Sequence, residues 1–497
     1  MSSPPRNVTP EAAARERCEG VVALPARLEP WQLEICGQAE LVDRWLSAHG
    51  SPLNLLDPAP MARNAAELRD AAQAFGIDLG IYFARKANKA LGFVDEARRL
   101  GLGVDVAGER ELAQVLERGI AGSALVMTAA VKPEPLLKLC VASGTTVVID
   151  NADELRRLAR LADDADDADH VVSVALRLAP ALADDRLPTR FGFDRDDALA
   201  VVDAQWTADH ASRLRIDGVH FHLDGYDPTD RVMAIDQALL LVDALRARGH
   251  APAFVDIGGG IPMSYIDDPA LWERFWDTHR EALLGHGPAL TFEGHGLGLL
   301  AHHGELVGRP AVYPFHQSPT RGDWLTEVLG ARLTSHDGSA ADGLHARGLA
   351  LRCEPGRALL DGCGMTAARV SYRKQRRDGT WLIGAEMNRT QCRSSSDDFL
   401  VDPLLIHPGH GEAGDPGGRA TGPIDGYLVG AYCIERELLT WRRMRFAHGV
   451  DVGDIVVFPN TAGYLMHILE SSSHQIPLAR NLLLDADGPP RLDPIDR

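Results

Sequence analysis

Five short stretches carry side chains suited to bond-making chemistry: Lys86 in "ARKAN", His220 and His222 in "HFHLDG", Gly258, Gly259 and Gly260 in "DIGGG", Glu354 and Arg357 in "EPGR", and Cys433 in "YCIE". Lys86 follows the apolar run Ile81 to Ala84 and precedes a stretch with helical apolar spacing, so its amine points into whatever the strand ends enclose. A lysine there ordinarily snorkels to the surface or pairs with a carboxylate; otherwise it is a nucleophilic amine. Three glycines directly after a strand let backbone N–H groups approach an oxyanion closely. Without a Walker lysine or a GxGxxG spacing they do not signal a nucleotide. His220 and His222, two apart on a strand, share a face. The sequence around them offers no carboxylate or third ligand, so an imidazole stacked on a flat ligand is favoured over a metal, and no metal site is expected.

These residues need a frame that gathers strand ends. From about residue 60 to 265, apolar runs such as "GVDVA", "TTVVID" and "AFVDIGG" alternate with helical stretches such as "NADELRRLARLADDA". That order predicts a (β/α)8 TIM-type barrel, with a doubly wound open sheet as the alternative; both collect ligands at the C-terminal ends of their strands. After about residue 345, "ALRCEPGRALL", "TAARVSYRKQ" and "DIVVFPN" read as strands without regular helices, which predicts a second all-β, sandwich-like domain. The expected division is 1–55 as an N-terminal segment returning to the β domain, 56–325 as the barrel and 326–497 as the β domain. The stretch "LIHPGHGEAGDPGGRATGP" reads as a Gly/Pro loop and "DDADDAD" as an acidic helix end, and neither suggests chemistry. The segment between Ile261 and "EPGR" carries no pattern that assigns it a role.

A chain of 497 residues can bury two cores, and its net charge of −19 argues against a phosphate-backbone partner, leaving a small molecule as the expected ligand. No apolar run is long enough for a membrane helix and the N-terminus lacks a signal peptide's apolar core, so a cytoplasmic protein is expected. Seven cysteines, an odd number without a CxxC pair, indicate neither a disulfide framework nor a zinc knuckle.

An amine, an oxyanion cradle, a flat-ring partner and the anionic Glu354 are together the parts of a pyridoxal 5'-phosphate site. In order and type the motifs resemble the fold type III pyridoxal-phosphate enzymes, specifically the ornithine and diaminopimelate decarboxylase group. "YFARKAN" is similar to that family's "YAVKAN", "DVAGERE" to "DVASxGE" and "RFGFD" to "KFG"; "VALRLAP", "GVHFHLDG", "VDIGGG", "EPGR" and "AGY" at 462–464 complete the series. The resemblance implies that Lys86 carries the cofactor aldimine, that His222 stacks on the ring, and that Glu354 faces the pyridine nitrogen. It also implies that Gly258, Gly259, Gly260, Arg357 and Tyr464 hold the phosphate, with Asp105, Glu111 and Arg177 near the cofactor face and Arg190 where relatives carry lysine. Cys433 matches a cysteine that a partner subunit contributes, which implies a homodimer with shared active sites.

A glutamate at 354 keeps the pyridine nitrogen protonated and favours decarboxylation, whereas alanine racemases of this fold place an arginine there. A thiol such as that of Cys433 can then return a proton to Cα, against the alternative of a buried strand cysteine. Gly225 stands where the family has a phosphate-binding serine, with Asp224 before it, and Ile434 stands where an acidic residue holds the substrate's distal ammonium. Glu435 is one position later and faces the other side if the segment is a strand. The expectation is a pyridoxal-phosphate-dependent amino-acid decarboxylase, a carbon–carbon lyase whose substrate is not plain ornithine, lysine or diaminopimelate. A racemase, epimerase or eliminating lyase on the same scaffold is the alternative. A non-catalytic cofactor carrier is a third reading, and the EPGR and Cys433 segments count against it.

Overall fold

The computed structural model describes residues 15, 17–164, 171–182, 188–206, 213–394, 399–409, 422–484 and 488–496. The acidic run at 163–169 and the Gly/Pro loop at 405–423 lie largely outside these. Two compact units divide the chain: 61–262 with 318–359, and 1–60 with 263–317 and 360–497.

The first unit is a closed barrel of eight parallel strands: β1 (Leu79–Ala84), β2 (Gly103–Val106), β3 (Leu125–Met127), β4 (Thr146–Ile149), β5 (Val172–Arg177), β6 (Leu214–His220), β7 (Phe254–Asp256) and β8 (Ala350–Cys353). Closure comes from β8, which pairs with both β7 and β1, and it excludes the open-sheet alternative. Covered on both faces, the strands are β-branched and apolar: β4 reads Thr-Val-Val-Ile with every residue buried. Helices between them turn apolar stripes inward. Ala152–Asp163 buries Leu155, Leu158 and Leu161 and starts on Asn151, whose side chain accepts from Glu154 N at 2.9 Å.

Two features differ from the sequence expectation. The stretch "ALRC", read with the β region, is the eighth barrel strand. Between β7 and β8 the chain leaves the barrel: 263–317 belong to the other unit, with a helix Pro269–Leu283 and a hairpin of Leu299–His302 with Glu305–Gly308. Residues 318–359 return with helices Arg321–Gly330 and Ala340–His345. The barrel unit therefore runs over 61–262 and 318–359 where a continuous 56–325 was expected.

Inside the barrel, Tyr82, Val126, Val148, Ala175 and Phe254 form one buried cluster with Ala350 packed against it. Because side chains on a strand repeat their face every second residue, the next positions toward the C-terminal ends lie on the same side. Those positions hold Thr128, Asp150, Arg177, Asp256 and Arg352, with Ala84 the apolar exception after Tyr82, and Asp105, His220 and Glu354 join them. One strand repeat thus converts an apolar layer into an ionisable one.

The second unit is a β-sheet domain organised on the long strand Gly364–Gln375. Its first half pairs antiparallel with Leu53–Leu56 and with Ile455–Pro459, its second half with Trp381–Ala385. The N-terminal pair Glu19–Gly20 joins the sheet against Met444–Arg445. Alternation sets the core: Leu53, Leu55, Met365, Ala367, Ile455 and Val457 pack together. Asn54, on the other face, accepts from Thr366 Oγ1 at 2.8 Å. Among the described residues no helix is long and apolar enough to cross a membrane.

Candidate active site

Lys86 lies in a short 3-10 turn, Arg85–Ala87, immediately past β1. Its neighbours fix the turn: buried Arg85 donates to the carbonyls of Asn88 and Lys89, and Asn88 Oδ1 accepts from Ala90 N at 2.9 Å. The Lys86 amine is left reaching back over the barrel end, where Nζ donates to Asp105 Oδ2 at 2.7 Å. The side chain of Asp105 is fully buried while that of Lys86 keeps 31% of its surface open. The other Asp105 oxygen accepts from Thr128 Oγ1. The amine is thus oriented by a carboxylate that is itself held, and one side of it stays accessible.

Arg177, at the end of β5, donates to Asp150 Oδ1 at 3.3 Å and lies over the Phe191 ring, its Cζ 4.2 Å from the centroid. Burial pushes its pKa below the usual guanidinium range. Asp150 Oδ1 also accepts from Gly192 N at 3.1 Å, which ties the "RFG" loop to the strand end. Exposed Arg190 lies over the same Phe191 ring, 4.0 Å from its centroid. Glu111 accepts from Ala107 N at 2.7 Å, and burial pushes its carboxyl up.

The glycine turn after β7 is more committed than the sequence suggests. Gly258 N donates to Asp256 Oδ1 at 2.9 Å and Gly259 N to His222 Nδ1 at 3.2 Å. Of the three N–H groups, Gly260's is the one left for an incoming anion among the described residues. The carbonyl side is anchored by Arg231, fully buried on the helix Pro228–Arg246, whose Nη2 donates to Gly259 O at 2.7 Å and Gly225 O at 3.3 Å. Glycine is required here: Gly258 and Gly260 have φ of 65° and 72°, and a Cβ on Gly260 would fall 2.2 Å from Arg231 Nη2. Since His222 Nδ1 accepts a hydrogen bond, its proton sits on Nε2, and burial holds the ring neutral, well below the ordinary histidine range.

The sequence around His220 offered it no carboxylate, but the fold supplies two. His220, Asp256 and Glu354 place ligand-type atoms within 4.8 Å of one another, all buried, the one such trio among the described residues. His220 Nε2 is 3.3 Å from Glu354 Oε1. Glu354 is pushed up to about 8, first by burial and then by Asp105, against the lowering effect of Lys86 and Arg177. Arg357, half-buried, lies in the turn just past Glu354.

Cys433 and Tyr464 belong to the β unit. Cys433 is exposed while the other six cysteines are buried, which removes the buried-strand alternative for it. It sits in an irregular bend, so the two-sided argument about Glu435 has no strand to act on; Ile434 is 47% exposed. Tyr464 adopts a positive φ of 69°, a conformation rare for a bulky residue. Thr128, Asp150, Asp256, Arg231 and Arg85 are the site residues that sequence reasoning missed. For Thr128, Asp150 and Arg85 a signal existed: each is the first residue past a barrel strand, within one position of where Lys86 stands past β1.

Comparison with known proteins bears on the family and the fold. The family described as "Pyridoxal-dependent decarboxylase, pyridoxal binding domain" matches residues 62–291. An uncharacterised protein, y4yA of Sinorhizobium fredii, is 31% identical over 458 residues, covering 90% of this chain and 92% of that one. Diaminopimelate decarboxylase of Pseudomonas aeruginosa is 28% identical over 289 residues, 56% of this chain and 67% of that one. In fold, the chain is similar to the crystal structure of diaminopimelate decarboxylase from Helicobacter pylori complexed with L-lysine, with a TM-score of 0.65 at 16% identity over 91% of this chain and 95% of that one.

Proposed function

The chain belongs to the fold type III pyridoxal-phosphate-dependent decarboxylase family, and from that premise we propose that it decarboxylates an amino acid other than plain ornithine, lysine or diaminopimelate. The observation that carries this reading is the ring of strand ends on which the Lys86 amine, 2.7 Å from Asp105, shares the barrel interior with a buried Glu354 oxygen that has no hydrogen-bond partner among the described residues. Those residues fit pyridoxal phosphate: an amine for its aldehyde, the orphaned carboxylate for its ring nitrogen, the His222 ring for its face, and the Gly260 N–H with Arg357 for its phosphate. Gly225, with φ of 134° and no hydroxyl, offers the phosphate no side-chain donor. When bound, the cofactor supplies the electron sink for bonds breaking at Cα.

The chain's own residues do the rest. Asp105, braced by Thr128, orients the Lys86 Nζ. Glu354 holds a proton at the atom facing it, and Arg177, fixed by Asp150 and Phe191, adds positive charge beside that carboxylate. The Cys433 Sγ–H, contributed by a second copy of the chain, is the donor of the proton that replaces CO₂. Ile434 carries no charge for a distal ammonium, which is why the common diamino acids are set aside.

The test is incubation with a panel of amino acids, reading released CO₂, Cα deuterium and ammonia in parallel. CO₂ with deuterium at Cα supports the proposal; deuterium exchange without CO₂ points to the racemase or epimerase alternative, and ammonia to elimination. Mixing inactive Lys86→Ala with inactive Cys433→Ala checks the shared site: random exchange restores roughly a quarter of wild-type activity, and none returns if both groups act within one chain.

A further inference from the structure

We propose that Asp256, His220 and Glu354 form one buried proton-holding unit, in which Asp256 is a positioning residue that sets whether Glu354 carries a proton. The three come from different strands, β7, β6 and the end of β8, and their ligand-type atoms lie within 4.8 Å of one another. Each is almost completely closed off, at 1%, 0% and 2% exposure. Both His220 nitrogens, Asp256 Oδ2 and Glu354 Oε1 have no hydrogen-bond partner among the described residues. His220 Nε2 stands 3.3 Å from Glu354 Oε1, and a buried group of one imidazole and two carboxyls gathered this closely is relieved most simply by a retained proton. Two carboxyls this close in low dielectric do not both ionise.

The surrounding charges do not supply a substitute. Glu354 also faces Asp105, Lys86 and Arg177, and Asp256 faces Arg352. His220 faces Arg177, Asp105 and Lys86 as well as Asp256. Tyr82 and Cys353 also face the two carboxyls, and neutral His222 faces His220. Each cation is engaged elsewhere: Lys86 on Asp105 at 2.7 Å, Arg177 on Asp150 at 3.3 Å, and Arg352 over the Phe254 ring at 3.5 Å. Burial pushes Glu354 to about 8 and Asp256 to about 7, and pushes His220 down to about 3. At neutral pH the imidazole is therefore uncharged, and the two carboxyls hold one proton between them, so that Asp256 ionises when Glu354 keeps it and Glu354 ionises when Asp256 does. With a cation against Glu354 the proton rests on Asp256; without one it is shared. That the cation is a pyridinium rests on the proposed function, while the proton unit itself does not.

The experiment is isotope-edited infrared titration of the full chain before pyridoxal phosphate is added, with 13C-labelled Asp and Glu carboxyls. In the wild type, carboxylic-acid carbonyl bands from both residue types persist at pH 7 and disappear in linked steps above it. Asp256→Asn, which keeps an acceptor for Gly258 N, lowers the proton affinity of Glu354 at least about tenfold. If that variant fails to fold, the wild-type bands alone decide: their absence at pH 7 overturns the proposal. An unchanged Glu354 midpoint in Asp256→Asn overturns it too, as does a stoichiometric divalent metal in the purified chain that is lost in His220→Gln. Failure of added pyridoxal phosphate to attach to Lys86 would remove the proposed function and leave the titration result standing.

Discussion

The barrel interior holds two layers one strand repeat apart. In the lower one, Tyr82, Val126, Val148, Ala175 and Phe254 pack against each other; in the upper one, Asp105, Asp150, Arg177, His220, Asp256 and Glu354 face the same space. The backbone is the same in both, so the difference lies in what the strands can close off. The lower layer is sealed by its own side chains, and its glycines make room: a Cβ at Gly218 would fall 2.3 Å from the Phe254 ring and one at Gly103 2.3 Å from Tyr82. The upper layer could not be filled with charges unless most were paired, and Lys86–Asp105 and Arg177–Asp150 do that. Rigidity below and ionisable groups above are two uses of one alternation.

The sharpest way to break the contrast is Lys86→Ala. It removes the amine without touching the lower layer, and borohydride reduction followed by peptide mass analysis should find no cofactor-modified lysine in a folded protein. Attachment at another lysine would remove Lys86 from the site. Glu354→Gln comes next: turnover should fall on the order of 100- to 1000-fold with cofactor still bound, and near-normal turnover would argue for chemistry that does not lean on that carboxylate. In the lower layer, Phe254→Ala should cost about 3–5 kcal/mol of stability by opening a cavity, read as a lower urea midpoint; a smaller loss would mean that Arg352 and Tyr82 collapse into the space.

The smallest effect is a pH slope. Asp256 and Glu354, raised to about 7 and about 8, bind protons more tightly folded than unfolded, so their contribution is complete below the ordinary carboxyl range and is lost as pH rises through those values. His220, depressed to about 3, acts oppositely, its contribution being lost as pH falls below the ordinary histidine range. Above about pH 6.5 only the carboxyls change. Without cofactor the urea midpoint should therefore decline from there to about pH 8.5, and Asp256→Asn should flatten the decline.

Much of this was legible in the sequence because barrel strands are buried on both faces and announce themselves as apolar runs ending in Lys86, Arg177, His220 and "DIGGG". The eighth strand was not, since "ALRC" alternates like a half-exposed β strand and follows a long departure from the barrel; Arg352, half-buried on aromatic rings, supplies the polar beat. Nor was the partnership of His220 with Asp256 and Glu354, which depends on three strands becoming neighbours. The bend at Cys433 was hidden because Tyr432 and Ile434 have the composition of a strand, while Ile434 N in fact bonds back to Tyr432 O at 2.8 Å.

The departure between β7 and β8 also governs how the chain acquires its shape. A nascent chain that has reached Pro262 holds seven barrel strands and no closing one, with the edges of β1 and β7 both unpaired. It must then make residues 263–317 of the other unit before Ala350–Cys353 can arrive. Neither unit is contiguous: the barrel unit can close only once residue 359 is made, with 360–497 of the other unit still to come, and a fragment cut at 262 would present two raw strand edges to its neighbours in solution.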